Sequence, residues 1–113
     1  MTVCRRGEIW MTNFNPGRGS EQKGIRPSLI LQNDIGNQYS STTIVAVITS
    51  TLGKCPVTVL LDQKTTGLRE KSMVNLAQIL AIDKGRLIKK LGIVGADKLR
   101  EVDEAIKISL ELE

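Results

Sequence analysis

Residues 19–34 read GSEQKGIRPSLILQND, and the change of character at Pro27 decides how the rest of the chain is read. Ahead of it, a polar segment punctuated by Gly19 and Gly24 carries Ser20, Glu21, Gln22, Lys23 and Arg26. Behind it, Leu29, Ile30 and Leu31 form an aliphatic run. Glycine admits backbone angles that other residues resist, while proline fixes its own φ and holds its predecessor extended. The stretch is therefore a loop that runs straight into a strand, delivering a hydroxyl, a carboxylate, an amide and two cations to the mouth of a sheet.

Working outward, the neighbouring segments repeat the strand pattern. Residues 7–13 alternate weakly and predict a first strand with Ile9 and Met11 on one face. Pro27–Asn33 and Thr43–Ser50 are β-branched and aliphatic runs bounded by turn residues, as buried strands are. Between them, residues 33–37 (NDIGN) are dense in turn formers. Val57–Asp62 and Ser72–Ala77 continue the series around a Gly67-centred loop, and Gln78–Ile82 extends the second of these past a bulge. Asp83 is placed to cap a short helical turn through Arg86, with a brief strand at Leu91–Val94. The period then changes. Leu99, Val102, Ile106 and Leu110 recur at helical spacing, predicting an amphipathic helix with Arg100–Glu104 and Asp103–Lys107 as i,i+4 pairs on its wet face. Short strands followed by one helix predict a mainly β fold, a small bent sheet or barrel with a C-terminal helix at its edge.

The bulk composition narrows the function classes. At 113 residues the chain is expected to be a single domain, residues 1–113. Trp10, Phe14 and Tyr39 are its only aromatics, too few for a stacking platform that binds single strands. No apolar run reaches the length of a membrane span, and no leader pattern opens the sequence, so a cytoplasmic protein is expected. Cys4 and Cys55 are too isolated to make a metal knuckle. Histidine is absent, which removes the usual general base and the Ser-His and Cys-His arrangements. With no clustered carboxylates either, no metal or other cofactor is expected. Charge is uneven: residues 1–96 hold 13 Lys/Arg against 6 Asp/Glu, a net +7, and residues 97–113 hold 3 against 6, a net −3. A basic body with an acidic tail is the footprint of a polyanion binder. Lys84, Arg86, Lys89 and Lys90 are read as a solvated face.

The loop-to-strand block resembles the MazF/PemK family of toxin endoribonucleases. The resemblance extends through RGEIWMTNFNP near the start, NDIGNQYSSTTIVAVITS after the loop, AQILAIDKGRL, and the DKLREVDEAIKISL segment. It implies an SH3-like barrel, a homodimer, and sequence-specific cleavage of single-stranded RNA such as mRNA by a type II toxin held silent by a MazE-like antitoxin. An arginine in a G-x-R-P motif and a threonine ending the central strand carry the family's chemistry, and here these are Arg26 and Thr49. Ser20, Gln22, Asn33 and Gln78 match positions near the RNA groove, with Glu21 in support; amides offer donor and acceptor together and can read unpaired bases. Familiar members often have an acidic residue where Ala77 sits and an arginine where Leu80 sits, and the loop Ser50–Cys55 is shorter here. The resemblance thus implies the reaction but not the recognised RNA sequence.

A guanidinium stays cationic and presents its donors in a planar fork, which suits it to a phosphorane and makes it a poor conventional base. The nucleophile that needs no protein histidine or metal is the substrate's own 2′-hydroxyl, giving a 2′,3′-cyclic phosphate and a 5′-hydroxyl. Two other functions fit the same fold: a CcdB-like toxin that binds gyrase without cutting RNA, and an RNA-binding module without activity. A basic groove is also expected to attract an acidic, partly disordered antitoxin tail.

Overall fold

Strands form where the aliphatic runs lie, and the two central ones are apolar on both faces because both faces are covered. The computed structural model describes residues 3–16, 23–53 and 57–113. Six strands, β1 (Glu8–Asn13), β2 (Ile25–Ile30), β3 (Thr42–Thr49), β4 (Thr58–Leu61), β5 (Ser72–Asp83) and β6 (Leu87–Ile93), make one antiparallel sheet in the order β4-β5-β3-β2-β1-β6. Successive side chains on a strand point to opposite faces. Leu29, Ala46 and Ile48 accordingly enter one core, shared with the C-terminal helix, while Ile30, Val45 and Val47 enter another with Phe14, Ile82 and Leu87. Trp10 packs against this second core. Ile9 is fully buried in the first, whereas its expected companion Met11 is only half-buried.

The predicted bulge in β5 is large. Val47 pairs with Asn75 and Ala46 with Ile79, so the register skips Leu76, Ala77 and Gln78. Their backbone is served elsewhere: the Leu76 N–H donates to the Val57 carbonyl at 2.8 Å, and the Leu76 carbonyl accepts from Ser109 Oγ at 2.6 Å. The bulge is thus where the helix α2 (Ala96–Ser109) docks. Val102 and Ala105 are its buried residues, with Leu99 and Ile106 partly buried. Leu110, expected on that stripe, is beyond the helix and 55% exposed. The expected i,i+4 pairs are replaced: Arg100 bonds Asp97, Lys107 bonds Glu104, and Asp103 reaches off the helix to Arg6. Arg6 also donates Nε to the Leu31 carbonyl at 3.0 Å and its amide to Asp34 Oδ1 at 2.7 Å. That amide holds the Asp34 carboxyl below its ordinary range.

Three further expectations are corrected. Residues 33–37 do not make a turn but start a short helix, α1 (Asp34–Tyr39), because the Asn33 side chain accepts from the Gly36 amide and caps it. The last strand begins at Leu87, not Leu91. The charged run after Asp83 is a solvated face only at Lys89 and Lys90. Asp83 caps a single 3₁₀ turn (Lys84–Arg86) as expected, but Lys84 is only 4% exposed and its Nζ donates to the Asn37 carbonyl in the last turn of α1. A cation at a helix C-terminus satisfies carbonyls that the helix cannot. Arg86 bonds the end of β1. Lys89 and Lys90 remain exposed, Lys90 pairing with Glu8 at 3.0 Å. Burial works against ionising Glu8, but the Trp10 indole, the Arg5 amide and Lys90 outweigh it and lower its pKa. Buried Cys4 has its thiol pKa pushed up by desolvation. Cys55 lies outside the described residues. Among the described residues no helix is long and apolar enough to cross a membrane.

The sheet is bent until the loop beyond one edge strand meets the other edge strand. The loop after β4 reaches β6, where the Ile93 amide donates to the Thr65 carbonyl at 2.9 Å and Thr65 Oγ1 donates to the Ile93 carbonyl at 3.1 Å. Two glycines permit the approach. A Cβ on Gly92 would stand 2.3 Å from the Thr65 carbonyl oxygen, and one on Gly67 (φ +71°) only 2.0 Å from that of Leu91. Gly92→Ala should therefore destabilise by about 1–3 kcal/mol, the usual cost of overpacking a rigid contact. Thermal unfolding should show a melting temperature lower by several degrees; an unchanged value would mean the loop does not depend on β6.

Candidate functional site: a basic depression at the open end of the sheet

Pro27 lacks an N–H, and the β2–β3 ladder records Ser28 opposite Val47 as its last pair at this end. The same register carried two residues further sets Arg26 across from Thr49. On the other side Arg26 pairs with Thr12 of β1. The strand beneath is firmly held: Thr12 Oγ1 donates to the Trp10 carbonyl at 3.0 Å, so the buried Ser28 hydroxyl is the donor in their 2.7 Å contact.

Arg26 and Thr49 both line a depression of about 680 Å³. Its walls come from the neck of the β1–β2 loop (Lys23, Gly24), the ends of β2 and β3 (Ile25, Pro27, Ile48, Ser50), the loop held against β6 (Leu68, Arg69, Glu70), and β6 itself (Lys89, Leu91). Among the described residues that line it, four are cations (Lys23, Arg26, Arg69 and Lys89) and one is a carboxylate, Glu70. The depression is thus set for an anion, and its long-range field favours a chain of them. Gln63 Nε2 donates to the Arg69 carbonyl at 2.7 Å and Thr66 Oγ1 to the Asp62 carbonyl at 2.7 Å, which stiffens the wall carrying Arg69 and Glu70.

The two central groups are differently prepared. Arg26 Nε donates to the Lys23 carbonyl at 3.1 Å, which orients the guanidinium plane while the terminal nitrogens supply the remaining donors. Among the described residues no carboxylate forms an ion pair with it. Thr49 Oγ1 accepts from the Thr51 amide at 3.1 Å. With that lone pair engaged, the hydroxyl hydrogen is the part of Thr49 available to an incoming oxygen.

The other sequence candidates fall elsewhere. Ser20, Glu21 and Gln22 lie outside the described residues. Asn33 caps α1, its Oδ1 2.8 Å from the Gly36 amide, and Gln78 sits half-buried in the β5 bulge; neither lines the depression. Arg69, Glu70 and Lys89 were missed. Their contribution depends on the Gly67 and Gly92 contacts that fold one loop onto a distant strand, and no local pattern announces that. Among the described residues no three His, Cys, Asp or Glu gather to hold a metal.

Residues 5–110 match the family model for the PemK-like, MazF-like toxin of type II toxin-antitoxin systems. Among solved structures, the crystal structure of MazF (Form-I) from Deinococcus radiodurans is 26% identical, with a TM-score of 0.85 over 99% of this chain and all of that one (100%). An endoribonuclease in complex with its cognate antitoxin from a mycobacterial species shares the fold at 22% identity, TM-score 0.84, covering 97% of each chain. A further mycobacterial endoribonuclease shares it at 21% identity, TM-score 0.83, over 99% of this chain and 95% of that one.

Lys89 supplies a test of the depression's polarity. Lys89→Gln should weaken binding of a single-stranded oligoribonucleotide and reduce the salt slope of log K by roughly 0.7, one phosphate contact on a single strand. Titration at several salt concentrations measures both, and an unaltered slope would remove Lys89 from the binding surface.

Proposed function

The chain belongs to the PemK-like, MazF-like toxin family of type II toxin–antitoxin systems, and from that premise we propose that it cuts single-stranded RNA at the basic depression, with Arg26 and Thr49 at the scissile phosphate. The observation that carries this is their shared place in one cation-rich depression, each with a geometry suited to an anionic oxygen. The match runs to an RNA-cleaving toxin family, so the gyrase-binding alternative is set aside.

In the proposed reaction the ribose 2′-oxygen attacks the adjacent phosphorus as its proton passes to solvent water. The phosphorus–O5′ bond then breaks and O5′ takes up a proton from water, leaving a 2′,3′-cyclic phosphate and a 5′-hydroxyl. Negative charge grows on the nonbridging oxygens in between. The Arg26 terminal N–H groups meet that charge with a fork that costs little reorganisation, and the Thr49 hydroxyl donates one further hydrogen bond. Lys23, Arg69 and Lys89 hold the flanking strand. Ser20, Glu21, Gln22, Asn33 and Gln78 are retained as candidates for base contacts along the strand, Asn33 and Gln78 from outside the depression. The donor set leaves the reaction to the substrate's own nucleophile, without metal. The protein works in the cytoplasm, where its substrate is, with a MazE-like antitoxin as its inhibitor.

Cleavage should proceed in EDTA, and a deoxyribose upstream of the cut should abolish it. Arg26→Ala should slow the reaction roughly a hundred- to a thousandfold, about 2.7–4 kcal/mol, with a smaller effect on binding, because the contact strengthens as charge develops. Thr49→Ala should act in the same direction, more mildly. A magnesium requirement or a 5′-phosphate product would overturn this mechanism.

We also propose a homodimer. Ile35 and Tyr39, four residues apart on α1, are 74% and 79% exposed, and Leu60 on the edge strand β4 is exposed as well. Apolar groups on a helix face and a sheet edge are what a two-fold partner covers. Sedimentation at micromolar concentration should give twice the chain mass, and a monomer alone would refute it.

A further inference from the structure

The 3₁₀ turn at Lys84–Arg86 is outside the depression, but a continuous set of hydrogen bonds leads from it to Arg26. Arg86 Nη1 donates to the Asn13 carbonyl at 3.1 Å and to the Asn15 carbonyl. Asn15 Oδ1 accepts from the Gly24 amide at 2.7 Å, and the Phe14 amide donates to the Gly24 carbonyl at 2.9 Å. One residue earlier, the Lys23 carbonyl is the acceptor for Arg26 Nε. The neck of the β1–β2 loop is therefore closed by Asn15 and fastened from outside by Arg86.

The fastening point is itself tied to its neighbours. Asp83 Oδ1 accepts from the Gly85 amide at 2.7 Å, the Lys84 amide donates to the Ser41 carbonyl at 3.0 Å, and the buried Lys84 ammonium bonds the Asn37 carbonyl. One side of the turn anchors α1 and the other anchors the loop neck. Both bonds come from one guanidinium nitrogen, each of its two hydrogens serving one carbonyl in directions fixed by the guanidinium plane, which the freely rotating ammonium of a lysine does not fix.

We propose that Arg86 and Asn15 are positioning residues for Arg26: they fix the Lys23–Gly24 neck, whose Lys23 carbonyl orients the guanidinium toward the phosphate. The inference rests on the reading of Arg26 as the phosphate-contacting group. Neither residue touches the reacting atoms. Their effect comes through the angle of one fork, and small misplacements of such a group are costly to rate.

Asn15 is exposed, so Asn15→Ala should leave thermal stability nearly unchanged. It should lower kcat roughly ten- to a hundredfold with little change in KM, as should Arg86→Lys. Asn15→Asp keeps the Oδ acceptor and should restore most of the rate. In an Arg26→Lys background, which lacks the fork, Asn15→Ala should add no further loss. A second readout needs no activity: the Arg26 Nε–Hε correlation in a ¹⁵N–¹H spectrum, identified by its disappearance in Arg26→Lys, should shift or broaden in Asn15→Ala and Arg86→Lys. Wild-type protein that does not cut RNA would refute the proposed function and leave this spectrum to decide the clamp. An unmoved Arg26 correlation would overturn the clamp whatever the rates, and so would a loss in Asn15→Ala that multiplies in full with that of Arg26→Lys.

Discussion

The register between β2 and β3 is the constraint on which the rest of the molecule depends. Both strands bury both faces, so a slip of one residue would exchange the two cores and put Ile30 and Val45 where Leu29 and Ala46 pack. Burial thus selects one pairing, Ser28 with Val47, and the strand ends beyond that pair carry Arg26 and Thr49 into one depression. The site's geometry is a by-product of core packing several residues away. At Pro27 the β2–β3 ladder has ended while β2 stays paired with β1 as far as Ile25, and the first residues of β2 and the last of β3 line the depression.

A second constraint is closure. A twisted six-stranded sheet leaves two edges, and here the β4–β5 loop spans them by leaning on β6 through Gly67 and Gly92. The same contact brings Arg69 and Glu70 beside Lys89. On the opposite side the β5 bulge admits α2, and Arg6 ties α2, the end of β2 and the start of α1 together through Asp103, Leu31 and Asp34. The acidic helix is thereby kept on a core-covering role away from the depression; none of its residues lines that wall.

What was legible in the sequence follows from this division. Strands and the C-terminal helix announce themselves through local period, so their order was readable, and so were the β5 bulge and the Asp83 cap. The failures came where a side chain's partner is distant. NDIGN has turn composition, yet Asn33 spends its amide on a cap and the segment becomes helical. KGRLIKK has the composition of a wet surface, yet Lys84 and Arg86 satisfy carbonyls of α1 and β1 from 47 and up to 73 residues away. Arg26 and Thr49 were singled out by family motif, not by chemistry visible in the bare sequence. Arg69, Glu70 and Lys89 had neither a motif nor a local pattern.

The departures from the family pattern have a physical reading in the same terms. Leu80 stands where many members have an arginine, and here it packs against the second core beside Phe14 and lines a separate hollow with Pro16, Asp83 and Arg86. Ala77 stands where an acidic residue is common, in the exposed part of the bulge. The apolar Leu80 adds packing under the strand that leads to the Lys84–Arg86 turn. Arginine at this position would put a cation against the Phe14 core unless it reached solvent or a carboxylate. Neither Ala77 nor Leu80 lines the depression that holds Arg26 and Thr49, so both departures leave its wall as the core register sets it.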